Sequence, residues 1–269
     1  MKTIEIEIVS HCYSEELPHY ADALAYQLSS FVLHRPKECR VTATVCYCPE
    51  DERTLRVLDW FRLLPERQAL HPLHKVGFCT IIMPKDRLGR RSIGRNVAAK
   101  SSYADIVWFA DVDQVYLDGC LDRLATMEWP MIPVVGEKEW QPVAMIFPKT
   151  IKIHRDWATG DVVAQTMGGV PRLLPIDQSL FVDKRYNRAI GGVQIVRGDF
   201  ARRHGYLGEE IVGNSWVNSP RADGRMFGDF KDDLEYRRFC RDRGGIVGVD
   251  LLGLHRLRHS TTSYQAPHV

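Results

Sequence analysis

No stretch of this 269-residue chain approaches the run of about 18–20 apolar residues that a membrane-spanning helix requires. The opening residues, MKTIEIEIVS, carry acids where a secretory leader would carry its apolar block, so the sequence predicts no signal peptide. Seven cysteines are present, an odd number, and none form a C-x-x-C pair. That pattern argues against a zinc site and a disulfide scaffold and fits a reducing cytoplasm. Cys46 and Cys48 are two apart and share one face of an expected strand, where they read as buried thiols. Internal repeats, low-complexity tracts and a clear linker are all missing.

An excess of charge of one sign is missing too, since 36 Lys+Arg stand against 34 Asp+Glu. A net charge of +2 leaves every class of partner open, but its distribution is uneven. Residues 101–183 hold 6 basic and 12 acidic residues, whereas residues 184–269 hold 15 basic and 10 acidic ones. Arginine dominates that last third, as in Arg221, Arg225, Arg237, Arg238, Arg241 and Arg243. Arginine forks suit phosphate, although an arginine-rich solvated surface explains the same bias. With 45% hydrophobic and 26% charged residues, the composition is that of an ordinary globular protein able to bury a sizeable core.

Hydrophobic periodicity predicts an alternation of strands and helices over the first 115 or so residues. Strands are expected at Thr3–Val9, Val41–Cys48 and Val76–Met83. The first helix carries Leu17, Tyr20, Ala21, Leu24, Leu28 and Phe31 on one stripe, and the second carries Val57, Leu58, Phe61 and Leu64. After a polar loop, PKDRLGRRS, Ser92 is placed to cap a short helix, IGRNVAAKSS. The order β-α-β-α-β-α-β implies a mostly parallel sheet with helices on both faces. Further on, Leu117, Cys120, Leu121 and Leu124 suggest another helix. Residues 189–196 suggest a strand, Asp232–Arg243 a helix, and Ile246–Leu254 a final strand. One continuous domain, residues 1–269, is the economical reading.

The centre of the chain holds the most informative motif. Five apolar residues, Ile106–Ala110, run into Asp111-Val-Asp113. Ligands of open α/β sheets bind beyond the carboxyl ends of such strands, and a D-x-D there offers hard oxygen ligands to a divalent cation. Two aspartates at a strand end are also a common solvated turn, so the motif gains weight only from the rest of the chain.

Four segments in order supply that weight: RSIGRNVAAKSSYADIVWFADVD, IGGVQIVRGDFARRHGYLGEE, DFKDDLEYRRFCRDRGG and LLGLHRLRH. Together they resemble the GT-A glycosyltransferases, most of all family 2 and related nucleotide-sugar-dependent transferases. The resemblance implies an α/β, Rossmann-like single domain, with residues 1–115 as the nucleotide-sugar half and 116–269 as a smaller mixed acceptor and catalytic half. It implies that Asp113 ligates Mn²⁺ or Mg²⁺, with His255, or His259 instead or as well, as a further ligand. Asp111 would contact the donor sugar or the water shell of the metal. Arg95 and Asn96 match a pair that holds the donor, against the plainer reading of Arg95 as a helix-surface ion pair. Gly191 and Gly192 would lie beside the donor sugar.

Asp232 and Asp233 match the acidic start of the catalytic helix, with Asp233 as the base of an inverting reaction; as residues alone they also read as helix caps. The nucleotide end departs from the family pattern. Glu50 or Asp51 would hold the base where the family has an Asp-Asp pair, and His11 and Tyr13 would pack on it. The implied activity is hexosyl transfer from a UDP-sugar to a hydroxyl of a saccharide or small metabolite. Transfer to hydroxymethylated bases of DNA, through the arginine-rich last third, is an alternative. So are a sugar nucleotidyltransferase and a non-catalytic nucleotide-sugar-binding module.

Overall fold

The computed structural model describes residues 2–15, 17, 19–67, 75–117, 119–134, 139–154, 173–207 and 232–257. Three strand–helix units open the chain: β1 Ile4–His11 with α1 His19–Leu33, β2 Cys39–Tyr47 with α2 Glu52–Arg67, and β3 Val76–Ile82 with the short α3 Lys85–Leu88 and α4 Arg91–Ser101. Then come β4 Ile106–Ala110, β5 Gln114–Tyr116 and α5 Cys120–Thr126. Short strands follow: β6 Met131–Pro133, β7 Trp140–Pro142, β8 Met145–Pro148, β9 Thr150–His154, β10 Phe181–Arg185 and β11 Val193–Arg197. Helices Gly198–His204 and Asp232–Gly244 precede β12 Ile246–Val249 and β13 Leu254–Arg256.

The central sheet has seven strands in the order β12-β8-β11-β4-β1-β2-β3. Strands β1 to β4 are mutually parallel, as the alternating sequence predicts, and only β11 runs against its neighbours. A second sheet, β10-β9-β13-β5, packs beyond the end of β4. Side chains alternate along each strand and divide the core in two. Ile6, Ile8, Ile106 and Trp108 face α1 and α2, whereas Val9, Val107 and Phe109 face α4 and the helix Asp232–Gly244. Helices therefore cover both faces, and β4 is buried at every residue.

Three local expectations differ from the structure. Ser92 lies inside α4 rather than capping it: Arg90 is the N-cap and offers no side-chain bond, because α3 feeds almost directly into α4. The strand expected over 189–196 begins only at Val193, since Val193 N–H closes a turn on the Ile190 carbonyl. Gly191 and Gly192 thus sit in that turn, beside the end of β4. Finally, the segment 246–254 is two strands in two different sheets. Gly253, at φ 90°, turns the chain between them. His255 consequently lies within β13, paired with Val115 of β5, and not at the end of a long strand.

Candidate active site

The site forms where β4 ends. Backbone bonds fix the D-x-D turn: the Asp111 carbonyl accepts from Gln27 Nε2 at 2.9 Å, and the Asp113 carbonyl accepts from Leu257 N–H at 2.7 Å. The first bond ties the turn to α1 and the second ties it to the residue after β13. Asp113 is 2% exposed, and the Asp111 side chain retains about a fifth of its surface. Neither acid is a loose solvated turn residue.

Arginines meet these carboxylates from two directions. From α4, Arg91 donates to Asp111 Oδ1 at 2.5 Å and to Asp233 Oδ2 at 3.1 Å. One helical turn on, Arg95 donates to Asp233 Oδ1 at 2.6 Å, to Asp111 Oδ1 at 3.3 Å and to the Tyr206 hydroxyl at 2.9 Å. The spacing of four puts both guanidinium groups on one face of α4. From β13, Arg256 Nε donates to Asp113 Oδ2 at 2.8 Å, and its Nη2 lies 3.7 Å from Asp111 Oδ2. Three arginines and three aspartates therefore make a balanced ion network across elements more than 140 residues apart.

Burial would raise the carboxyl of Asp233, but Arg91, Arg95 and the Tyr206 hydroxyl outweigh it and hold the pKa at about 2. Burial works against the charge of Arg91, but Asp111 and Asp233 outweigh it and raise its pKa well above the ordinary value. Asp232 behaves oppositely. Burial raises its carboxyl above the ordinary value, and the neighbouring Asp233 carboxylate works in the same direction. The two acids that open the helix Asp232–Gly244 thus have different chemistry: one is firmly ionised, the other more basic.

The two glycines explain how the acids approach the backbone. A Cβ on Gly191 would collide with the Asp233 carboxylate, and one on Gly192 would lie 2.6 Å from Asp111 Oδ2. Gln114 and the Trp108 indole both donate to the Gly192 carbonyl, which fixes this turn against β4 and β5.

The remaining expected residues separate by role. His11 is 2% exposed and sits behind the arginine pair, where burial and then Arg95 push its imidazole well below the ordinary value. It fits there because residue 94 of α4 is glycine; a Cβ would strike the ring. Tyr13 packs on Tyr20 with ring centroids 4.5 Å apart, close to Arg91 and Asp111. Asn96 points away from the carboxylates and accepts from the Tyr206 backbone N–H at 3.1 Å. Asp51 is buried at the start of α2, where it accepts from Ser14 N–H, the Ser14 hydroxyl and Thr54. Glu50 is exposed. It lines an open cleft of about 550 Å³ with Ser14, Glu15, Arg53 and Lys85, at the carboxyl ends of β1 and β2.

The expected cation set is not assembled by the described residues. Adjacent residues of a strand point to opposite faces. In β13 it is Arg256 that faces Asp113, while His255 faces Phe181, with ring centroids 4.9 Å apart. His255 Nδ1 lies 3.2 Å from the Gly253 carbonyl, and burial lowers its pKa to about 4. His259, Arg221 and Arg225 lie outside the described residues. No group of three or more His, Cys, Asp or Glu placed to hold a metal occurs among the described residues. The acids at Asp111 and Asp113 are held by guanidinium groups, which does not fit a resident divalent ion.

Sequence reasoning missed Arg91, Tyr206, Gln114 and Arg256. Arg91 was legible in principle, one turn before Arg95 on the same face of a helix. Arg256 was not, because its role depends on the break at Gly253 that sets which residue of β13 faces the aspartates.

No protein-family model and no curated protein matches the chain. Among solved structures, an active-site mutant of LgtC is 15% identical, with 91% of this chain and 72% of that one covered and a TM-score of 0.41. The galactosyltransferase LgtC in complex with donor and acceptor sugar analogs is 16% identical, with 91% and 73% covered and the same TM-score of 0.41.

Proposed function

We propose that the protein is a glycosyltransferase that moves a hexose from a UDP-sugar to a hydroxyl acceptor, a saccharide or small metabolite. One observation carries this reading: three arginines converge with Asp111, Asp113 and Asp233 at the carboxyl end of β4, beside a glycine turn. That position is where open α/β sheets bind nucleotides, and guanidinium forks match phosphate oxygens. The cleft at the ends of β1 and β2, with the exposed Glu50, is large enough to take the base.

In the proposed reaction the acceptor oxygen attacks the anomeric carbon as the bond from that carbon to the diphosphate breaks. UDP leaves, and the acceptor proton passes to a carboxylate. Stabilising the departing diphosphate is the main electrostatic demand, and Arg91, Arg95 and Arg256 are the groups placed to meet it. Asp233 is the proposed proton acceptor. With a pKa of about 2 it is too weakly basic while both α4 arginines hold it. Phosphate oxygens competing for Arg91, which is a third exposed, would release part of that hold. Basicity would then appear when donor is present, which limits the enzyme to productive complexes.

Equilibrium binding tests the reading. UDP should bind markedly more tightly than UMP, and UMP more tightly than uridine, because each phosphate adds contacts to the arginines. Equal binding of all three, or of none, would remove the nucleotide-sugar proposal. The DNA alternative gains no support from the helix Asp232–Gly244. Arg237 donates to the Ala189 carbonyl, Arg238 to Glu235, and Arg243 lies over Phe239, so this arginine run is largely engaged within the fold.

A further inference from the structure

A cation ligated by Asp113 and His255 is what the family likeness implies, and the residues in place disagree with it. We propose that the guanidinium of Arg256 takes the place of a divalent cation at Asp111 and Asp113, so that a nucleoside diphosphate binds and is neutralised without metal. This rests on the nucleotide-sugar reading above for its ligand, but not for its geometry.

The geometry is that of a fixed counter-ion. Arg256 reaches both acids at once, Asp113 at 2.8 Å and Asp111 at 3.7 Å, as a bridging cation would. It is not a surface arm that happens to lie nearby. Its backbone pairs with Gln114 of β5, and the next residue, Leu257, donates to the Asp113 carbonyl. Bringing His255 to the acids instead would need a one-residue slip of β13, which would also turn Leu254 and Arg256 to the wrong faces. Leu254 is 1% exposed, so that slip would expose core.

Charge and donor count point the same way. Arginine keeps its charge throughout the working range, and Asp113 is the carboxylate nearest to this one. About a third of the Arg256 side chain remains exposed. A guanidinium has five N–H donors, and those not turned to the aspartates are available to phosphate oxygens. A divalent ion entering between Asp111 and Asp113 would have to break the 2.8 Å bond and then sit beside the displaced guanidinium. Two positive groups a few ångströms apart in a partly buried site repel strongly.

Two measurements on the whole protein test this, using Mn²⁺ alone and then UDP as probes. In the first, binding of Mn²⁺ is followed by electron paramagnetic resonance. Wild type should bind none at millimolar metal, whereas Arg256→Ala, with its two aspartates freed, should acquire a site. In the second, the wild-type Kd for UDP should be unchanged between EDTA and Mn²⁺. Arg256→Ala should weaken UDP binding about tenfold or more in EDTA, as expected for the loss of a charge-assisted phosphate contact, and Mn²⁺ should restore it. Arg256→Lys, which keeps the charge and the fold, should retain most of the metal-free affinity. Tight Mn²⁺ binding by wild type, or UDP binding that demands Mn²⁺, would overturn the proposal. UDP binding by neither protein, with the Mn²⁺ result as expected, would instead sink the nucleotide-sugar reading and leave the charge replacement standing.

Discussion

Arg95 has no exposed surface, and its guanidinium donates to Asp233, Tyr206 and Asp111 together. Removing it leaves two aspartates facing each other with only Arg91 between them. Arg95→Ala should therefore destabilise the fold by about 3 kcal/mol or more, as is usual when one member of a buried ion network is deleted. Urea unfolding would measure this, and a loss below about 1 kcal/mol would mean that water compensates the acids. Asp233 supplies a pH signature. Its pKa falls from 3.8 in the unfolded chain to about 2 in the fold, so it contributes stability above pH 3.8 that is lost as pH falls towards 2. The contribution is about 2 kcal/mol. In Arg91→Ala the Asp233 carboxyl should titrate closer to the ordinary value, visible as a shift in its carbon resonance. An unmoved titration would remove the idea that phosphate can release this base through Arg91.

Two glycines separate function from folding at the level of elements. Gly191, in the turn before β11, abuts a side chain, the Asp233 carboxylate; Gly198, at the start of the helix Gly198–His204, abuts the Ala104 backbone carbonyl. A carboxylate can move aside more readily than the buried backbone of Ala104, in the loop that leads into β4. Gly191→Ala should therefore lower the melting temperature less than Gly198→Ala does, yet lose most UDP-sugar turnover. Circular dichroism melts beside an activity assay would separate them; equal destabilisation would make Gly191 a packing residue.

The same elements show what the sequence could and could not convey. The β-α alternation to Ala110 was legible because β1 alternates apolar residues with glutamate, β2 and β3 are rich in apolar residues, β4 is continuously apolar, and α1 and α2 each carry a regular apolar stripe. The convergence of Asp111, Arg95, Gly192 and Asp233 was legible only through family likeness, since nothing local says that residues 95 and 233 meet. The exchange of His255 for Arg256 was hidden because the mostly apolar segment 246–254 reads as one strand, whereas β12 ends at Val249 and the turn at Gly253 sets the chain into a second sheet. Asn96 misled for a related reason: its neighbour Arg95 faces the acids, so Asn96 faces the next turn of chain.

At the scale of the whole molecule, three arginines and three aspartates meet where β4 ends, and β13 ties the second sheet to the D-x-D turn there through Arg256 and the Leu257 N–H. His255 makes that junction acid-sensitive. Its pKa is lowered by burial from 6.5 to about 4, so the unfolded chain takes up a proton that the fold refuses. Its contribution to stability is complete above pH 6.5 and is lost as pH falls towards 4. In His255→Asn the unfolding free energy should change less between those limits, and an unchanged slope would place the acid sensitivity elsewhere.

The central claim is that this site transfers sugar from a nucleotide. It is tested most directly by following UDP release from a panel of UDP-sugars, with wild type and Asp111→Ala side by side, both checked for folding. The account predicts slow release from at least one UDP-sugar by wild type, faster once a hydroxyl acceptor is found, and none by the variant. Release by neither protein from any UDP-sugar with a broad pool of hydroxyl acceptors present, or equal release by both, would contradict it.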